Sequence, residues 1–402
     1  MMKPLTVFIG VWFFQLVCYG VGISYDITPL SHLSVRQYAV FPSSLLLFAL
    51  GLITHKLLLI KYRKESSTNK NSNLRNITAH WIIYALIFAV VSLITALNVI
   101  KYGVPPLLLL IFRLKSSYNY IDYGSLKNII FALCMIMPLL AMTTHNTILR
   151  IVTVLTSFAF LTLYVARGPM IQGATQIAFF YILTSKQKIG IKKVITIILT
   201  TLFIIIIMGF LGSLRTGTAQ MYSALHIKPQ FYTLPPGLVW AVAYLSMPLT
   251  NLLSLVDNYT NFTWGLASLH TIIPGFIQPY LFQNQDFRFW GTIVSQYFKN
   301  PNNNVATYLG AVYVDFGWPG IIFYNFLLGF MSQYFYNKYS NQHLSANKAT
   351  IIYSIWLSAL VLIGFFNIFT LPSFILEITI AIFFGLFNLN FFRPMVYASH
   401  AK

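Results

Sequence analysis

The chain has 402 residues, of which 57% are hydrophobic and only 8% are charged, and its formal net charge is +19. Soluble domains carry about 25% charged residues, so this composition excludes an ordinary soluble protein and is typical of a polytopic membrane protein. The basic residues are spread over short connections between apolar segments. This distribution indicates membrane orientation rather than a nucleic-acid-binding face.

The apolar segments predict an all-α fold, because a membrane-spanning helix needs about 20 mostly apolar residues. The first segment is too long for a cleavable signal peptide, so it is expected to be retained. The predicted spans are 4–24, 38–60, 80–100, 126–142, 148–166, 168–185, 193–211, 307–336, 350–370 and 372–391. They divide the chain into 1–211 with about seven spans, a large loop over 212–306, and 307–402 with about three spans.

Basic residues in the connections predict the orientation. The linker 61–79 contains five of them, so it is expected to be cytoplasmic. Alternation then places both termini in the cytoplasm and the loop 212–306 on the outer face. The segment Gly237–Val256 is about as long as a span, and a crossing there would reverse everything after it. The later basic residues and a central proline favour a helix that lies in the membrane interface.

Arg167 is the first candidate for a substrate-binding residue. It ends one apolar run, and Gly168-Pro169 begins the next. Proline favours the first helical turn, so the N-terminus of a helix and a guanidinium would together attract an anion. Gln172 and Gln176 follow on one helix face, where polar side chains in a membrane usually line a cavity. The alternative is that Arg167 only contacts lipid phosphates.

Arg215 is the second candidate, since it opens the predicted outer loop between glycine and threonine residues. A guanidinium binds phosphate through two hydrogen bonds and stays charged. Arg167 and Arg215 share the predicted outer face, so together they could bind a pyrophosphate without a metal. The alternative is that Arg167 and Arg215 are only arginines at the membrane boundary. For Arg288, the alternatives are binding of substrate and an ion pair with Asp286.

His270 and Asp315 are the candidates for a catalytic base. The unperturbed pKa of histidine lies near neutrality, although a lone loop histidine is often only polar surface. Asp315 ends an apolar run just before the helix-breaking Gly317-Trp318-Pro319-Gly320. Its carboxylate could accept a hydrogen bond from a sugar hydroxyl, or it could form an ion pair that fixes a kink. Glu377, deep in a span, is expected to be paired or to face the bundle interior.

Several signatures are missing from the sequence. It has no G-x-x-x-x-G-K-[ST] loop for ATP, no H-E-x-x-H or paired Cys/His cluster for zinc, and no D-x-D pair for a divalent cation. We therefore expect no cofactor and no metal. If phosphates bind, arginines have to neutralise them.

The architecture resembles that of bacterial O-antigen polymerases, the Wzy-type oligosaccharide repeat-unit polymerases. The shared features are about ten spans, one large outer loop, an Arg-Gly at an outer helix junction and a second arginine opening the loop. The sharpest local similarity is the run Thr307-Tyr308-Leu309-Gly310-x-x-Tyr313-x-Asp315-Phe316-Gly317-x-x-Gly320.

This resemblance implies a GT-C-like, metal-independent glycosyltransferase of the bacterial inner membrane. Its partners would be membrane lipid, undecaprenyl-pyrophosphate-linked oligosaccharides as donor and acceptor, and a polysaccharide chain-length regulator, with no nucleic acid. The growing glycan would move from undecaprenyl pyrophosphate to the non-reducing end of another lipid-linked repeat unit at the periplasmic face.

The mechanism expected from the residues uses Arg167 and Arg215 to neutralise the departing pyrophosphate, and His270 or Asp315 to deprotonate the acceptor hydroxyl. An O-antigen ligase is one alternative. A flippase or transporter of lipid-linked sugars is another, but the sequence shows neither the midplane charge pairs nor the repeat that would favour it.

Overall fold

The structure, a computed structural model, is entirely helical over the residues that it describes. These are 2–24, 33–63, 81–112, 126–144, 146–185, 235–273, 289–298, 305–340 and 348–384, with short pieces at 219, 222–223, 228–233, 277 and 280. The helices are α1 Pro4–Ser24, α2 Val35–Arg63, α3 Trp81–Tyr102, α4 Pro106–Ile111, α5 Leu126–Met142, α6 Thr147–Leu163, α7 Arg167–Thr184, α8 Pro236–Asn258, α9 Leu266–Ile272, α10 Phe289–Tyr297, α11 Leu309–Ser340, α12 Lys348–Leu362 and α13 Pro372–Phe384. The described residues also contain two 3₁₀ turns, Pro229–Phe231 and Ile368–Thr370, and an isolated β-bridge between Thr307 and Phe366.

Five of these helices are long and apolar enough to cross a membrane. They are α1, α2, α3, α8 and α11, and four shorter apolar helices accompany them. Large apolar side chains point outward along them, among them Phe13 and Val17 on α1 and Leu86, Leu93 and Ile100 on α3. Such stripes suit contact with lipid. The prediction of a helical membrane protein is thus confirmed, while the predicted span 193–211 lies outside the described residues.

Helices α2 and α11 pack closely and run in the same direction. Ser44 contacts Asn325, and Gly329 lies against Phe48 one turn further along both helices. A Cβ atom at Gly51, or at Gly329, would lie only 2.1 Å from a carbonyl oxygen of the facing helix. Glycine therefore allows the two backbones to touch, as in many membrane helix pairs.

Helix α11 is folded back on itself at Gly317, whose backbone has φ 61° and ψ −142°. The Tyr308 hydroxyl donates a hydrogen bond to Asn325, although a straight helix would separate these residues by about 25 Å. A Cβ atom at Gly320 would lie 2.8 Å from the carbonyl oxygen of Val312. Two antiparallel helical arms therefore meet at Gly317, a short arm over 309–316 and a long arm over 318–340.

Because of this fold-back, the predicted span 307–336 is not one straight helix. The long arm, at about 1.5 Å per residue, is roughly 34 Å long and can cross a membrane by itself. The short arm instead returns into the bundle from the turn. The segment 305–308 that precedes it consequently lies among the helices and not at their ends.

Helices α12 and α13 form a second hairpin. The Lys348 ammonium, at the start of α12, donates to the carbonyl of Ile382 near the end of α13 at 2.7 Å. The connection 363–371 lies at the other end of this hairpin. There the Tyr308 N–H donates to the Ile363 carbonyl at 2.9 Å. The connection 363–371 between α12 and α13 thus contacts the segment 305–308 before α11. We call these two segments the helix interruptions.

Helix α8 packs inside the bundle, against α1, α2 and α11. Its polar residues Ser246, Thr250 and Asn251 are all buried, and the Asn251 amide donates to the Val305 carbonyl at 2.9 Å. A helix in the membrane interface would keep its polar face in water. Neighbouring helices thus supply the partners that water would otherwise supply, and the placement of 237–256 in the membrane interface stays a prediction.

Candidate functional site

Five of the seven candidate residues lie in the described part of the chain. Arg167, Gln172 and Gln176 are on α7, His270 is on α9, and Asp315 is on the short arm of α11. Arg215 and Arg288 lie outside the described residues, so their roles stay predictions.

Arg167 is the first residue of α7 and is partly exposed. The turn before it contains Val165, which has a φ of 51° although it is β-branched. The Tyr164 hydroxyl accepts a hydrogen bond from the Asn98 amide at 3.0 Å and donates one to Thr95 at 3.3 Å. The α6–α7 turn is thus fixed to α3, and it holds the guanidinium-bearing residue at the N-terminus of a helix, where anions are favoured.

The two glutamines of α7 share one buried face, as predicted from their spacing. The Gln172 amide donates to the Glu377 carboxyl at 2.8 Å. The expectation that Glu377 is paired inside the bundle is confirmed. The face of α7 that carries these two glutamines is thus polar and contacts α13.

Asp315 caps helix α9 from a distant part of the chain. Its carboxylate accepts hydrogen bonds from the Thr263 hydroxyl at 2.6 Å and from the N–H groups of Ala267 at 2.8 Å and Ser268 at 2.9 Å. The residue at the N-cap position itself is Gly265, which has no side chain for this purpose. Asp315 therefore satisfies amides that every helix leaves open at its start.

This geometry favours a structural role for Asp315 over a role as catalytic base. The side chain is completely buried, and both carboxylate oxygens already accept hydrogen bonds. No ion pair of Asp315 with an arginine occurs among the described residues. Of the two predicted alternatives, Asp315 does fix a kink, but through helix capping instead of an ion pair.

The segment before α9 is held against the turn of α11. The N–H groups of Thr263 and Trp264 donate to the carbonyls of Val314 and Asp315 at 3.1 and 2.9 Å. The Phe262 ring covers Gly317, so that a Cβ atom there would lie 2.7 Å from the ring. His270, one turn into α9, is thereby carried on a helix whose position the turn fixes.

Strained backbone occurs beside the candidate residues. Among the described residues, three non-glycine residues have a positive φ: Val165 at 51°, Trp264 at 53° and Thr307 at 35°. Val165 precedes Arg167, and Trp264 lies beside the helix end that Asp315 caps. Thr307 begins the Thr307–Gly320 run. Strain of this kind is retained where the surrounding structure requires it, often at functional sites. Trp264 is also 78% exposed, so its indole is open to a ligand.

A group of polar and aromatic side chains that the sequence did not indicate lies where α1 meets the two helix interruptions. We call this group the inner polar cluster. Its members are Trp12, Gln15, Ser44, Tyr308, Tyr324, Asn325 and Asn367. Only spatial proximity reveals the cluster, because its members come from four separate parts of the chain.

The chain matches no protein-family model, no curated protein and no solved structure. The class of protein that the fold defines is a helical membrane protein with an interrupted helix bundle. A particular activity is therefore inferred from the site itself.

Proposed function

We propose that the chain polymerises lipid-linked oligosaccharide repeat units, such as those of O-antigen or a related surface polysaccharide. The observation that carries the proposal is the folded unit made by Thr307–Gly320. The run that resembles the polymerases forms the short arm and the turn of α11, and it holds the segment with Trp264 and His270. A run whose polar residues fix the surrounding helices suits a rigid scaffold for chemistry.

The directions of the helices support an outer-face site. Helices α2 and α11 run in parallel and end at Arg63 and Ser340, so the end of α2 and Lys338 lie at the same end of the bundle. In the sequence, the basic stretch 61–79 begins at this end of α2. Basic connections favour the cytoplasm. The turn at Gly317 and helix α9 then lie toward the opposite, periplasmic face.

Helix α7 brings Arg167 toward that face as well. The Tyr339 hydroxyl, near the end of α11, donates to the Leu183 carbonyl near the end of α7 at 3.0 Å. The C-termini of both helices are therefore together, on the side of the basic connections. Arg167, at the other end of α7, accordingly belongs to the same side as His270.

In the proposed reaction, the bond between the donor sugar and the pyrophosphate oxygen breaks, and an acceptor hydroxyl forms the new glycosidic bond. The proton of that hydroxyl goes to His270, and Arg167 and Arg215 neutralise the released undecaprenyl pyrophosphate. The exposed indole of Trp264 is suited to pack against a sugar ring. Asp315 acts only by fixing the position of α9, since its oxygens are already bonded.

A second candidate is transport of a lipid-linked sugar across the membrane. Two interruptions of the helices meet inside the bundle, and transporters often bind their cargo at such interruptions. A ligase that transfers finished glycan is the third candidate, because it shares the reaction type. The three functions differ in the products that a cell lacking the protein accumulates.

The test is gel profiling of surface polysaccharide in a deletion strain that carries wild type, Arg167→Ala or Arg215→Ala. A polymerase predicts single repeat units on the core in the deletion strain and in both variants, and a ladder only with wild type. Gly168→Ala is the control, because a Cβ atom at Gly168 meets nothing within 4 Å. Loss of every repeat unit from the core would instead indicate a ligase or a transporter, and normal ladders in both variants would refute the arginine assignment.

A further inference from the structure

The inner polar cluster lies deep in the bundle. Trp12 and Gln15 are near the middle of α1. The Gln15 amide nitrogen lies 2.7 Å from the position of a Cβ atom at Gly364, in the interruption between α12 and α13. The Trp12 ring is 6.3 Å from the ring of Tyr308, in the interruption before α11. Both interruptions therefore face the same part of α1.

Several polar groups of the cluster are hydrogen-bonded to one another. The Tyr308 hydroxyl donates to the Asn325 carbonyl oxygen, and the Tyr324 hydroxyl donates to that of Asn367 at 2.9 Å. The Asn325 amide donates to the Ser44 hydroxyl at 3.3 Å. These contacts hold α2, α11 and the interruption after α12 together.

Three other polar atoms of the cluster have no partner. The Asn367 amide nitrogen and both polar atoms of the Gln15 side chain make no hydrogen bond. The two side chains are nevertheless only 8% and 1% exposed. Buried polar groups almost always have partners, and leaving one unpaired destabilises the fold. Groups of this kind are expected where a ligand supplies the missing partner.

The unpaired atoms indicate the chemistry of that ligand. Two amide nitrogens and one amide oxygen are unpaired, and none of the cluster's side chains is charged. A phosphate would call for arginine or lysine, and a metal cation would call for several oxygen ligands. A hydroxyl group both donates and accepts, so it matches two carboxamides. The rings of Trp12, Tyr308 and Tyr324 supply apolar faces of the kind that line ligand sites.

We infer that Gln15 and Asn367, beside the ring of Trp12, form a subsite for a neutral, hydroxyl-rich group, namely one sugar residue of the lipid-linked substrate. The identification of that group as a sugar rests on the proposed function. The subsite itself rests on the unpaired atoms and on their position between α1 and the two interruptions.

The experiment uses the full-length protein in nanodiscs, free of sugar-based detergent. Its melting temperature is measured with increasing glucose, galactose or N-acetylglucosamine, and with glycerol as the control for non-specific effects. At least one hexose is expected to raise the melting temperature in a saturable manner. Gln15→Met should raise the half-saturating sugar concentration by about tenfold or more, since it removes two hydrogen bonds to a neutral group and each contributes about fivefold.

The apo form of Gln15→Met gives a second, independent readout. Since the Gln15 amide has no partner, its loss should not lower the melting temperature in the absence of sugar. Gln37→Met is the matched control. The Gln37 amide is equally buried but donates to the Leu253 carbonyl at 2.9 Å and accepts from the Ser34 N–H at 2.8 Å. This variant should melt at a lower temperature and keep the sugar response.

Two results would overturn the subsite. One is an apo Gln15→Met protein that melts as far below wild type as Gln37→Met does, because the amide would then have a structural partner. The other is a wild type that no hexose stabilises beyond glycerol, which would mean that only water fills the cluster. Either result leaves the polysaccharide ladder of the wild type unaffected, so failure of the subsite is distinguishable from failure of the proposed polymerase.

Discussion

Gly317→Ala is predicted to open the hairpin of α11. The backbone at this position, with φ 61° and ψ −142°, is accessible almost only to glycine, and a side chain there costs about 1–3 kcal/mol. The added Cβ atom would also lie 2.7 Å from the Phe262 ring, and overpacking of this kind costs about another 1–3 kcal/mol. Because Phe262 is partly exposed and can move, we expect a total near the lower half of that sum, about 2–4 kcal/mol.

The consequence should reach the candidate site, since the same turn holds Thr263, Trp264 and the capping residue Asp315. Thermal unfolding of the purified protein should show a melting temperature several degrees below wild type, and the polysaccharide ladder should be shortened or lost. Gly10→Ala, in lipid-facing α1 with nothing within 4 Å of its Cβ position, should melt like wild type.

A double variant separates the two costs. Phe262→Ala combined with Gly317→Ala removes the contact with the ring but keeps the backbone strain, so it should recover only part of the loss. A Gly317→Ala protein that melts within a degree of wild type and makes normal polymer would refute the fold-back at this residue.

Substitutions at three further positions test the packing and the buried polar groups. Gly51→Ala places a Cβ atom 2.1 Å from a backbone oxygen of α11, so it should cost about 1–3 kcal/mol and lower the melting temperature, again relative to Gly10→Ala. Glu377→Gln keeps an acceptor for the Gln172 amide and should be nearly neutral in thermal unfolding, whereas Glu377→Leu should cost about 1–3 kcal/mol by orphaning that amide; equal effects of the two would contradict the hydrogen bond. Asp315→Asn keeps one acceptor for α9 and should cost about 1 kcal/mol, while Asp315→Ala leaves two amides unpaired and should cost at least twice as much; hydrogen exchange of α9 measures the difference, and indistinguishable exchange would contradict the cap.

Local signals in the sequence were sufficient to locate most of the helices. The Gly168-Pro169 pair predicted the start of a helix beside Arg167, and α7 does begin at Arg167. The i, i+4 spacing predicted that Gln172 and Gln176 share a face, and both are buried. Proline in the first turn and helical periodicity act over a few residues, so they can be recognised from a single segment.

Features that depend on distant residues could not be recognised in this way. The Gly317-Trp318-Pro319-Gly320 sequence indicated a break in a helix, but not that the chain folds back there. The fold-back depends on Tyr308 meeting Asn325, and the role of Asp315 depends on amides that lie about fifty residues earlier in the chain. Helix α8 is similar, because its apolar composition suits an interfacial helix as well as a buried one.

Polymerisation itself is measured in a reaction with purified protein in nanodiscs and a synthetic undecaprenyl-pyrophosphate-linked repeat unit, in the presence of EDTA. We expect lipid-linked products that lengthen by whole repeat units and the release of one undecaprenyl pyrophosphate per new glycosidic bond, with both lost in Arg167→Ala and retained in Gly168→Ala. An unchanged substrate with wild-type protein would refute the proposed polymerase activity. Movement of that substrate across a sealed vesicle membrane without bond formation would instead identify a transporter.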